Sequence, residues 1–402
     1  MTTAAVAVVG AGMAGIAVAH ELAVRRGIRD VVLIDERAPL TLTSDKSSEC
    51  YRNWWPGPDD AMVALMNDSI DRLEALADES GDAFHMNRRG YVWATADPSR
   101  AGSLRRDAEE SSRLGAGPLR VHEGTSRSAY VPPAAAGVDR GLTGADLLLD
   151  PALIREHFPY LDDDVVAVLH ARRCGWMSAQ QLGMYLIERA RDRGLRLLRA
   201  RVEGIDVRDD QVVGVRTSAG TVATEVVVDA AGPYAADLAR GAGVELPAFN
   251  ELHGKVAFRD DRQAIPRGAP FLIWADPVRL WTSDAERGDV PAEWLTRTYP
   301  SGAHLRPEGG PRSDALLLIW SYEEHREPPK YPITYDPSFA EICLRGLARM
   351  IPRLADYVGH APRPVIDGGY YTRTEENRPI IGPLPMRGLY ASCAFGGFGI
   401  MA

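Results

Sequence analysis

The chain predicts an α/β fold whose first element is a buried parallel sheet. Three observations carry that expectation. Ala4–Val9 is a short apolar run rich in β-branched residues that leads straight into Gly10-Ala-Gly12-Met-Ala-Gly15. A helical pattern then runs from Ile16 to Arg26, and Val31–Ile34 reads as a second strand ending in Asp35-Glu36. Far downstream, EVVVDAAGPYAADLA (225–239) repeats the theme: an apolar strand, the small residues Ala230, Ala231 and Gly232, then a helix.

Each part of the first unit has a physical task. Gly10 makes the tight turn, Gly12 lets backbone approach a pyrophosphate, and Gly15 lets helix and strand pack closely. The helix N-terminus offers unpaired N–H groups and a partial positive charge to phosphates. Asp35, about twenty residues after Gly15, suits a ribose 2′-hydroxyl. Glu36 is the alternative, since strand ends are read to within a residue or two. An acid there disfavours a 2′-phosphate and hence NADP, which leaves FAD or NAD open. The whole is a Rossmann-like unit.

Composition narrows the class further. With 402 residues, 45% hydrophobic and 25% charged, the chain suits a soluble globular protein with a substantial core. A net charge of −9 without a basic block argues against nucleic acid and acidic membranes as partners. Cys50, Cys174, Cys343 and Cys393 form no CxxC pair, so neither a disulfide framework nor a metal site is expected, and a reducing cytoplasm is the default. The apolar start lacks a positive n-region and contains three glycines within 4–19, unlike a signal or membrane-inserting segment.

Between the two strand–glycine units, Leu195–Arg201, Gly204–Val207, Val212–Thr217 and Thr221–Ala223 read as short β segments. The second unit places more backbone close to a ligand, a feature NAD dehydrogenases do not generally need. Together with GAGMAGIAVAHEL (10–22), VVLIDE (31–36), LLLDPALIREHFPYL (147–161) and GGYYTRTEENRPIIGPLPMRGLYASCAFGGFGIMA (368–402), it resembles the D-amino-acid oxidase family of FAD-dependent oxidoreductases. The likeness is to the glycine oxidase, sarcosine oxidase and dimethylglycine dehydrogenase branch. It implies a discontinuous FAD-binding domain (1–81, 145–244, 365–402) with an inserted antiparallel-sheet substrate domain (82–144, 245–364). Within the insert, Gly90–Thr95, Phe271–Ala275 and Leu316–Ser321 read as strands and Pro337–Met350 as a helix. The sequence stops at Ala402, where that family's last helix starts.

The resemblance also assigns roles. TSDKSSECYRNWWP (43–56) falls where the family wraps a loop over the ribityl chain and flavin, making Thr43, Ser44, Lys46 and Ser47 cofactor contacts. To these it adds Gly10, Gly12, Met13, Ala14, Gly15, Asp35 or Glu36, Val202, Ala230, Ala231 and Gly232. The closing loop contributes Gly396, Gly397, Phe398, Gly399 and Ile400. Arg52 becomes the clamp for a substrate carboxylate, with Tyr371 as a polar contact and His253 behind it. Tyr371 stands where glycine oxidase-like members carry an arginine, and Met401 where sarcosine oxidase-like members carry a lysine, which points to a larger or more hydrophobic amine. Gly369 replaces a flavin-linking cysteine, so FAD is expected to be non-covalent. Cys50 has no partner histidine and no serine has a GxSxG elbow, so the loop is not a nucleophile site. The reaction implied is oxidation of an amine or amino acid at its C–N bond, with oxygen or an electron carrier as acceptor. A desaturase or hydroxylase, or a non-catalytic FAD-binding assembly subunit, is the alternative; oligomeric state is left open.

Overall fold

A computed structural model of the chain describes residues 2–124, 130–134, 138–310, 312–323 and 325–401. Among these the strands form sheets of six, nine and four strands and one two-stranded ribbon. The six-stranded sheet runs in the order Arg196–Arg199, Val31–Asp35, Val6–Val9, Val227–Asp229, Leu389–Cys393, Ile380–Pro383. All its pairs are parallel except the last. Val6–Val9 is buried along its whole length, as a parallel strand covered on both faces must be. One face is covered by the helices Met13–His20 and Ala179–Arg191, whose Ile16, Ala19, Leu182 and Leu186 are buried. The other carries the small sheet Thr2–Thr3, Gly220–Ala223, Gln211–Thr217, Val202–Arg208. The expected helix to Arg26 continues from His20 as a π-helical turn, Glu21–Arg25.

The nine-stranded sheet runs Val365–Arg373, Phe249–Arg259, Ala315–Ile319, His304–Pro307, Phe271–Trp274, Tyr91–Thr95, Ala167–Ala171, Ala145–Leu148, Leu119–His122. Its pairs are antiparallel except Phe271–Trp274 with Tyr91–Thr95 and Leu119–His122 with Ala145–Leu148. The sheet crosses the divisions expected at 145 and 365, because Ala145–Leu148, Ala167–Ala171 and Val365–Arg373 are all strands of it. The division implied by the resemblance follows the sequence blocks, whereas long-range pairing places these strands. The helix Phe339–Leu347 lies within the expected 337–350.

Period-2 alternation sorts this sheet into two faces. Val256, Leu318, Leu305, Leu272 and Val92 point into one apolar core with Phe339–Leu347. The pairings Lys255↔Ile319, Ile319↔His304, Ile273↔His304 and Ile273↔Trp93 run across the opposite face. His253 and Arg306, two residues away along their strands, share that second face. It is the face turned toward the Cys50–Arg52 strand: Arg306 Nε–H donates to the Ser48 carbonyl at 3.0 Å.

Candidate active site

The glycine turn folds as its spacing requires. Gly10 has φ +101°, and a Cβ there would lie 2.3 Å from the Ala230 carbonyl oxygen. A Cβ on Gly15 would lie 1.9 Å from the Gly10 oxygen, so helix and strand meet only through glycine. Asp35 braces the turn: its Oδ2 accepts from Ala11 N–H and its Oδ1 from Arg37 N–H, both at 2.8 Å. Lone pairs remain on both oxygens for a ribose hydroxyl. Glu36 instead pairs with Arg37 at the surface, 3.0 Å away.

A cavity opens from this helix N-terminus and ends against Tyr371. Of the expected cofactor residues it is lined by Gly12, Met13, Ala14, Thr43, Ser44, Ser47, Ala230, Gly232, Gly396, Gly397, Gly399 and Ile400. Gly10, Gly15 and Ala231 are not part of the lining; Gly10 packs on Ala230, which is. Asp35, Glu36 and Val202 lie outside the lining, at the strand end where Ala200 N–H donates to the Asp35 carbonyl. Two residues are placed elsewhere. Lys46 is engaged by Asp45 and Asp367 at 2.7 and 2.8 Å, and Phe398 is buried against the Trp55 ring edge. For Lys46 the local ion pairs win; for Phe398 core packing does.

The sequence reading missed several lining residues, among them Ser48, Glu49, Pro233, Thr372 and Ser392–Phe395, and it placed Cys50 as packing. Cys50 does both: its thiol is buried, donates to the Ser48 carbonyl at 3.1 Å, and has its pKa raised by desolvation. That excludes a ready thiolate. Burial likewise pushes Glu49 up to about 7, against the pull of Arg306, 3.8 Å away.

Beyond the cavity, Arg52 lies on the short strand Cys50–Arg52, paired with Cys174–Trp176. Its guanidinium stacks over the Trp55 ring at 4.3 Å and approaches Tyr91 at 5.9 Å. Its backbone N–H donates to Met401 Sδ at 3.0 Å. Among the described residues no carboxylate pairs with it. Tyr371 stacks face to face on His253, centroids 4.0 Å apart at 11°. Desolvation raises the phenol to about 12, so it stays a donor, and no described residue takes its hydrogen. His253 contacts Ser321 Oγ through Nδ1 at 2.6 Å and lies 3.4 Å from Glu251 through Nε2. With both nitrogens engaged and its ring stacked on the phenol, His253 braces Tyr371 rather than facing a ligand.

Asp229, under the second small-residue turn, yields a pH prediction. Its Oδ1 accepts from Ala231 N–H at 3.1 Å, while Oδ2 is buried without a partner. Desolvation raises its pKa to about 7. A carboxyl whose folded pKa exceeds its unfolded one stabilises fully below the unfolded value, near 4. That contribution is lost as pH rises toward about 7, up to about 4 kcal/mol in all. Asp229→Asn keeps the Oδ1 acceptor and removes the titration. Thermal melts are expected to show it more stable than wild type at pH 8, with the gap closing at pH 4–5; a pH-independent difference would sink this account.

Comparison with known proteins agrees with this geometry. The family model described as FAD dependent oxidoreductase (DAO) matches residues 5–402. The chain belongs to that family. It is 27% identical to the mitochondrial dimethylglycine dehydrogenase of Rattus norvegicus and 26% to that of Homo sapiens, each over 270 residues. Those matches take in 66% of this chain but only 28% of each relative, so the chain spans under a third of their length. Among solved structures, L-proline dehydrogenase from P. horikoshii superposes with a TM-score of 0.75 at 21% identity, covering 100% of this chain and 90% of that one. Glycine oxidase from Geobacillus kaustophilus gives 0.74 at 19%, covering 100% and 91%.

The chain thus carries the domain of an FAD-dependent oxidoreductase family, and the cavity fits FAD by its donor set. Ser44 Oγ accepts from Met13 N–H, and Ser47 Oγ from Glu49 N–H, which leaves both hydroxyl protons to donate to phosphate or ribityl oxygens. Small residues at Ala230, Gly232 and Gly397 leave room for a flat ring, and a Cβ on Gly397 would meet the Tyr371 ring only at 3.6 Å. Among the described residues, no helix is long and apolar enough to cross a membrane.

Proposed function

We propose that the protein oxidises the C–N bond of an amino acid or amine that carries a carboxylate near the nitrogen. The observation that carries this reading is Arg52, a half-buried cation next to the cavity with no acid among the described residues to neutralise it. A planar guanidinium grips a carboxylate bidentately and so fixes the neighbouring carbon. The relatives named for dimethylglycine, L-proline and glycine all have substrates with an amine one carbon from a carboxylate. Bound FAD supplies a two-electron acceptor for hydride leaving that carbon.

The chain's own groups set position and charge. Arg52 holds the carboxylate, Tyr371 offers a hydroxyl proton, and His253 fixes the Tyr371 ring by stacking. The Trp55 and Tyr91 rings flank Arg52 and favour a substrate with apolar bulk. The deciding experiment is an anaerobic titration of the holoprotein with a panel of α-amino acids and their N-alkyl derivatives, followed at the flavin absorbance. Bleaching by carboxylate-bearing amines, and not by the same amines lacking the carboxylate, is expected. An oxidised flavin throughout would overturn the reading.

A further inference from the structure

His304 lies outside every role assigned above, yet it sits on the sheet face that carries His253 and Arg306. Its Nδ1 lies 2.7 Å from the Gly302 carbonyl oxygen. A carbonyl only accepts, so Nδ1 bears the hydrogen and a neutral ring must present a bare lone pair at Nε2. The ring packs on Phe271 at 5.0 Å, and no described residue occupies Nε2. Burial lowers its pKa to about 4, and the charges of His253 and Arg52 push the same way, so the ring is neutral at pH 7. Ring contacts fix the location: Phe271, on which the half-buried His304 packs, lies 4.5 Å from the Tyr91 ring that Arg52 approaches at 5.9 Å, so His304 stands one aromatic layer from the proposed carboxylate clamp.

We propose that His304 Nε2 accepts a hydrogen bond from the substrate nitrogen, so that the site selects amines keeping an N–H in their neutral form. This rests on the reading of Arg52 above. The chemistry requires an acceptor here and not a donor. As the Cα–H bond breaks and its electron pair leaves as hydride to the flavin oxidant, the nitrogen lone pair forms the new C=N bond. A donor would hold that lone pair and oppose the step. An acceptor grips the N–H, leaves the lone pair free, and binds more strongly as the nitrogen becomes a cationic iminium. The N–H hydrogen stays on nitrogen throughout.

The test needs no turnover. Pyrrole-2-carboxylate and furan-2-carboxylate share shape and carboxylate but differ by N–H against ring oxygen. Their dissociation constants for the FAD-loaded protein are measured by calorimetry for wild type, His304→Leu and His304→Gln. Wild type is expected to prefer the pyrrole by about tenfold, the worth of one hydrogen bond in a partly buried site. His304→Leu should bring the ratio to about one, and His304→Gln, whose amide oxygen can accept, should restore part of it. An unchanged ratio in His304→Leu, or a ratio of one in wild type, overturns the proposal. Arg52→Met should weaken both ligands equally. If it weakens neither while the His304 effect stands, the clamp fails and the N–H acceptor survives.

Discussion

Gly15→Ala is expected to purify without flavin and to melt several degrees below wild type even when both are compared as apoprotein. The new Cβ would lie 1.9 Å from the Gly10 oxygen, and the nearest contacts are backbone rather than flexible side chain. The Met13–His20 helix must therefore move off the sheet. Overpacking of this kind costs about 1–3 kcal/mol, and more where backbone cannot yield. The same movement withdraws the helix N-terminus from the pyrophosphate position, so binding suffers beyond the stability loss. Gly12→Ala separates the two effects. Gly12 has φ −74°, and its Cβ would meet only Ser44 Oγ at 3.2 Å. That variant should melt like wild type as apoprotein while binding FAD more weakly. Flavin absorbance per mole and apoprotein Tm check both, and a Gly15→Ala protein with full flavin and unchanged Tm would refute the packing argument.

The contrast between those glycines shows why the nucleotide-binding half was readable in sequence. Although the Gly10 contact with Ala230 is long-range, strand, turn and helix lie within thirty residues, so local spacing encodes the approach of Gly15 to the Gly10 backbone. The same holds for Thr43, Ser44 and Ser47, which the chain delivers to the cavity directly after the Val31–Asp35 strand. Lys46 shows the limit. Its neighbours in sequence line the cavity, but Asp367, more than three hundred residues away, helps take its charge. Nothing in TSDKSSEC announces that partner.

The substrate side was less legible for the same reason, on a larger scale. His304, Ile273 and Trp93 come from three separate segments, and only the register of the nine-stranded sheet lines them up. The expected division at residues 145 and 365 fails to follow this sheet because strand pairing over long separations leaves no local periodicity to read. A period-2 pattern does exist in ELHGKVAF and GAHLRP, where polar and apolar residues alternate. That pattern says each strand has two faces without saying which one meets the cofactor. His253 and His304 differ only in what surrounds their nitrogens: Ser321 and Glu251 engage the first, while the second keeps one nitrogen bare.

Arg52→Met is expected to lower kcat/KM for carboxylate-bearing amines by roughly two to three orders of magnitude, with flavin content unchanged. Removing one member of a desolvated charge pair costs about 2–5 kcal/mol, which spans that range. Arg52→Lys should recover only part, because an ammonium is a point charge that cannot form the two-point grip. A bracing role competes with this account, since the guanidinium stacks on Trp55 at 4.3 Å. The two roles separate by measurement. Methionine can cover the indole with an apolar stem, so loss of bracing should show in Tm and in amines with and without a carboxylate alike. A clamp instead predicts that amines lacking the carboxylate, poor substrates from the start, change little. Steady-state kinetics on a matched pair, such as an α-amino acid and its decarboxylated amine, decide it: equal losses on both would assign Arg52 to the loop and not to the substrate.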